Sequence, residues 1–104
     1  PHCLENAHAI LTSASSVCRV LMIGPPPIAD LEQNIRIKDL DVSLAQLCHS
    51  ISVPYLSVVS ELSDDPIWMR EVASNDGAHP KSAGYTKLAT FISAWDEWEC
   101  VGRD

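Results

Sequence analysis

The sequence predicts an α/β fold with a parallel sheet. Two short β-branched apolar runs, at 17–24 and 53–59, read as strands. Each run follows a segment whose apolar residues recur at helical spacing. Strands that alternate with helices imply a parallel sheet carrying helices on its faces.

The elements follow in order. Residues 3–16 place Leu4, Ala7, Leu11 and Ala14 on one helical face. The run VCRVLMIG, 17–24, stops at Gly24 as a buried parallel strand does. Pro25, Pro26 and Pro27 remove three amide donors, so 25–30 is a stiff loop leaving the carboxyl end of that strand. Asp30 is an N-cap, and Gln33 completes a capping box. Ile37, Leu40, Leu44, Leu47, Cys48 and Ile51 then form one apolar stripe, which makes 31–51 an amphipathic helix. VPYLSVV, 53–59, is the second strand. Asp65 as N-cap and Pro66 at the first helical position open a short helix that reaches about Ala73. After a loop at 76–79, Tyr85, Leu88, Ile92 and Trp95 mark a last helix ending near Trp98.

Two strands do not close a sheet, so one edge of the unit is expected to be apolar and unpaired. The chain therefore reads as the C-terminal half of a larger α/β domain, with 1–104 as one portion of a single domain. It begins at Pro1 with no Met and no signal-peptide pattern, so any targeting segment is expected upstream and the compartment is unreadable.

The net charge of −7 argues against nucleic acid and anionic membranes as main partners, since both select a basic face. It serves solubility equally well. No apolar run approaches the ~18 residues of a membrane-spanning helix. Cys3, Cys18, Cys48 and Cys100 form no C-x-x-C pair, which removes the zinc-ribbon and thioredoxin readings. Cys18 and Cys48 read as small buried hydrophobes, and free thiols favour the cytoplasm, although a disulfide stays open.

Chemistry in α/β sheets gathers at the carboxyl ends of the strands. Both candidate loops lie there. In SNDGAHPKSAGY, 74–85, Asp76 and His79 are three residues apart on a turn freed by Gly77, and Pro80 suits the first position of the following helix, which would hold His79 on a rigid mount. Such a turn brings the carboxylate to the imidazole Nδ1–H, fixes the tautomer and leaves Nε2 as a base for a serine hydroxyl. Taken bare, the same spacing also suits a capped, solvated turn.

Asp76, His79 and Pro80, followed by Gly84 and Tyr85 in the final helix, resemble the last conserved block of the GDSL (SGNH) esterases and lipases. VLMIGPPP at 20–27 is similar to that family's penultimate strand and Pro-rich loop. VPYLSVVSEL at 53–62 and DPIWMREV at 65–72 fit its last strand and the helix before the Asp block. The resemblance implies a flavodoxin-like parallel sheet in a three-layer α/β/α sandwich, of which this chain would hold about two strands and four helices. It also implies carboxylic-ester hydrolysis through an acyl-serine, with His79 as general base, Asp76 as its orienting partner and no cofactor. The substrate would be a small-molecule, lipid or carbohydrate ester. The family's Gly-Asp-Ser nucleophile block and Gly-x-Asn-Asp oxyanion block do not occur in these 104 residues. The nucleophile is therefore expected upstream, and the missing N-terminal half or a partner chain is expected to cover the open sheet edge. Ser43, Ser57 and Ser60 lack a sharp exposed elbow and are rejected as substitutes.

Pro25 and Pro26 are candidates for walling the cleft, and Trp68 and Met69 for lining an acyl pocket, with strand termination and core packing as the rival roles. Trp95 and Trp98 are expected to pack the last helix onto the sheet. His2, His8 and His49 show no ligand spacing, so no metal site is expected. The second functional reading is a non-catalytic, partial α/β domain that acts as an interaction module through its open edge.

Overall fold

The structure, a computed structural model, describes the backbone of residues 2–101 and the side chains of residues 2–98. The order is α1 (His2–Ser15), β1 (Met22–Ile23), α2 (Leu31–Ser50), β2 (Tyr55–Leu56), α3 (Val59–Ser63), α4 (Pro66–Ser74), α5 (Ser82–Ala94) and α6 (Asp96–Val101). β1 and β2 pair in parallel, Met22 opposite Tyr55 and Ile23 opposite Leu56.

This corrects the predicted fold class. The described residues are mostly helical, and two strands of two residues each do not make the flavodoxin-like sheet of a three-layer α/β/α sandwich. Both apolar runs are cut short by neighbouring helices. The turns that end α1 continue through Val17 and Cys18, whose amides both donate to Ala14 O. Beyond Gly24, prolines supply no further ladder donors. On the second run, Val53 N donates back to Cys48 O, Pro54 has no N–H, and Leu62 N donates to Val58 O as α3 begins. What remains of the ladder includes Met22 N to Pro54 O at 2.9 Å and Gly24 N to Leu56 O at 2.8 Å.

The helix starts follow their local chemistry. Asp30 accepts from Glu32 N and Gln33 N at the head of α2. Asp65 accepts from Ile67 N and Trp68 N at the head of α4, where Pro66 needs no partner. The predicted last helix is two: α5 stops at Trp95, whose backbone turns extended, and α6 restarts at Asp96. Trp98 is about half exposed and so does not pack onto a sheet.

Side chains of the strand pair feed two cores, as alternation along a strand requires. Tyr55 and Met22 pack against buried Leu11, Cys48 and Val53, between α1 and α2. Leu56 packs against Val58, Leu62, Trp68 and Val72, with Leu88 and Phe91 of α5 alongside. Cys48 is buried as expected, and burial pushes its thiol pKa up. Cys3 and Cys18 are exposed free thiols, against the expectation for Cys18, while the Cys100 side chain lies outside the described residues. Among the described residues β1 has no second strand beside it. Val17 and Ile23 are exposed, as are Leu31, Ile35 and Val42 along one side of α2.

Candidate active site

The site is built by the end of α4 and the start of α5. Helix α4 ends at Asn75, whose amide donates to Glu71 O, and Gly77 N reaches back to Val72 O. Gly77 takes φ +87°, the left-handed region where a side chain is strained. That turn throws Asp76 and His79 together. Asp76 Oδ1 accepts from Ala78 N at 2.9 Å and His79 N at 2.7 Å, and Asp76 Oδ2 lies 2.7 Å from His79 Nδ1. The backbone amides of Ala78 and His79, with the imidazole, hold the Asp76 carboxyl well below the usual carboxylate range. An ionised Asp76 only accepts, so Nδ1 carries the proton and the neutral ring leaves Nε2 as a proton acceptor. The His79 side chain keeps 66% of its surface exposed.

Neighbouring groups fix this loop. Asn75 Nδ2 donates to His79 O at 3.0 Å. Pro80 is buried, and a Cβ on Gly84 would collide with the Pro80 ring, so only glycine lets the first turn of α5 close over it. The expectation that Pro80 opens the last helix is corrected: the N-cap is Lys81 and α5 starts at Ser82. Glu71 Oε1 accepts from Lys81 N at 3.0 Å and Gly84 N at 2.6 Å.

The Pro-rich loop after β1 is joined to the same place. Ala29 N donates to Gly77 O at 2.9 Å. Trp68 Nε1 donates to Pro27 O at 3.0 Å, and Asn34 holds the N–H and C=O of Ile28 at 2.7 and 2.8 Å. Pro25 and Pro26 are half-buried here. Trp68 fills the core with 1% of its surface exposed and meets Tyr85 edge-on at 6.5 Å, so its packing role holds. Met69 is half-buried against the same core.

Two clefts lie elsewhere. One of about 450 Å³ sits between Leu56, Glu61, Phe91 and Trp95, and one of about 380 Å³ between Ala45, His49, Val53 and Tyr55. Neither is lined by Asp76, His79, Pro25, Pro26, Trp68 or Met69. Among the described residues no serine hydroxyl bonds to His79. Ser57 Oγ instead donates to Asp41 Oδ2 at 2.6 Å, and Tyr55 Oη donates to Asp41 Oδ1 at 2.7 Å. Sequence reasoning missed Asn34, Asp41 and Glu71, polar side chains on otherwise amphipathic helices whose partners are distant in sequence. Among the described residues no three His, Cys, Asp or Glu side chains are grouped to hold a metal ion. No helix there is long and apolar enough to cross a membrane.

A scan against protein-family models and a search of curated proteins find no match to this chain.

Proposed function

We propose that this chain carries the general base and its orienting acid for a serine hydrolase of the GDSL (SGNH) kind, acting on carboxylic esters. The observation that supports it is the 2.7 Å approach of His79 Nδ1 to an Asp76 oxygen, with the imidazole open to solvent on a turn that the Pro-rich loop reaches through Ala29 N and Gly77 O. In this reading His79 Nε2 takes the proton of a serine hydroxyl as that oxygen attacks the ester carbonyl. Asp76 holds the ring and stabilises the imidazolium. His79 then gives the proton to the departing alcohol, leaving an acyl-serine, and the same groups activate the water that hydrolyses it. Serine and oxyanion donors come from polypeptide outside these 104 residues, which hold no Gly-Asp-Ser.

The test is a serine-directed fluorophosphonate on the native protein or assembly that contains this chain. The expected result is one labelled serine outside these residues, with labelling slowed about 10³-fold by His79→Ala, the scale of a lost general base. Equal labelling of both proteins contradicts the reading.

A second reading has its own observation. The side of β1 that is unpaired among the described residues, with Ile23 and Val17 exposed, and the Leu31, Ile35, Val42 stripe suit an interaction module whose edge another polypeptide covers. It expects an obligate complex with no activated serine.

A further inference from the structure

We infer that Glu71 is a positioning residue for His79. The inference deepens the reading above and rests on Asp76 and His79 acting as a pair. Asp76 follows directly from the end of α4, whereas His79 belongs to the segment entering α5. The local turn brings the two side chains together, and the docking of α5 on α4 holds the far end of the segment that carries His79. Glu71 makes that connection twice. Its carboxylate takes the amides of Lys81 and Gly84, two and five residues past His79. Its backbone carbonyl takes the amide of Asn75, whose side chain holds His79 O.

The first turn of α5 needs this outside acceptor, because its N-cap Lys81 offers no side-chain cap. A carboxylate there is also favoured by the helix dipole. The fit leaves little play: Pro80 is buried between His79 and this contact, and a Cβ on Gly84 would stand 3.0 Å from Glu71 Oε1. Loss of the Glu71 carboxylate frees the start of α5, lets His79 drift from Asp76 and releases the tautomer that Asp76 selects.

The test reads that tautomer in the native protein or assembly that contains this chain by imidazole ¹⁵N shifts, at a pH where the ring is neutral, with amide exchange at Lys81 and Gly84 as a second readout. Wild type is expected to hold the Nδ1–H form. Glu71→Gln keeps a side-chain carbonyl for both amides and is expected to keep that form. Glu71→Ala is expected to lose protection at Lys81 and Gly84 and to shift the Nδ1–H to Nε2–H ratio about fivefold toward Nε2–H, the worth of one net hydrogen bond. An unchanged ratio in Glu71→Ala overturns the inference and leaves the Asp76–His79 pair standing. A wild-type ring in the Nε2–H form overturns the pair itself. Should Glu71→Ala fail to fold, Glu71→Asp, one methylene too short, gives the same comparison. Unfolding of both overturns the inference by making Glu71 a residue of the fold.

Discussion

One carboxylate, Asp76, serves His79 twice: Oδ1 takes the His79 amide at 2.7 Å and Oδ2 faces its ring Nδ1 at 2.7 Å. The residue that orients the imidazole thus also fixes the backbone it hangs from. A bare surface turn needs only the first contact.

Acid should weaken the fold through this carboxylate. The Asp76 pKa is lowered in the native state from its usual 3.8, chiefly by the amides of Ala78 and His79. Asp65 is lowered too, first by the Trp68 amide. In each case the unfolded chain binds more protons, so the contribution is full above the usual carboxylate value and is lost as pH falls through the native one. The urea midpoint is expected to drop between about pH 4 and pH 2, over the range where free carboxylates protonate. The drop should be smaller in Asp76→Ala; an equal drop would contradict this account.

Gly84→Ala places a methyl against the Pro80 ring. Overpacking of this kind costs about 1–3 kcal/mol. The expected result is a lower urea midpoint together with a shifted His79 ring resonance, because Pro80 is bonded to His79. Unchanged stability would mean that α5 yields without strain.

Tyr55→Phe removes the donor to Oδ1 of Asp41, a residue that is only 8% exposed. Leaving that oxygen without a partner should cost about 1–3 kcal/mol in urea unfolding. Burial first, and then the Asp41 hydrogen bond, push the Tyr55 hydroxyl above its usual pKa of 10.0. Its phenolate absorbance should stay silent past the pH where free tyrosine titrates, and the associated stability should fade as pH rises above that value.

Ser52 ends α2 at φ +60°, with Val53 N on Cys48 O and Ser52 N on His49 O. That bonding pattern usually has glycine at the left-handed position. Ser52→Gly relieves about 1 kcal/mol of backbone strain and loses part of it to unfolded-state entropy. A net gain of about 0.5 kcal/mol is expected by thermal or urea unfolding.

Most local signals read correctly from the sequence, the helix start at Pro80 excepted, and long-range ones did not. The Asp30 and Asp65 caps lie within three residues of the amides they take, and the Asp76–His79 contact also spans only three, so spacing exposes all of them. The strands were overread because apolar content proposes a strand while a ladder needs a neighbour. With one partner, each run gave its ends to α1, α2 or α3. Val58, Val59 and Leu62 carried α3 unseen, since an apolar run this short has no distinct period. Glu71 was illegible because its acceptor role crosses ten and thirteen residues and depends on how two helices meet.

The central claim is that His79 is a base and Asp76 its orienter. The most direct measurement is kcat/KM for a simple aryl ester with the native protein or assembly containing this chain, alongside His79→Ala and Asp76→Asn. His79→Ala is expected to lose about 10³-fold with folding intact, and Asp76→Asn to lose less, since it disturbs orientation and charge while keeping the base. Wild-type turnover in His79→Ala would contradict the claim.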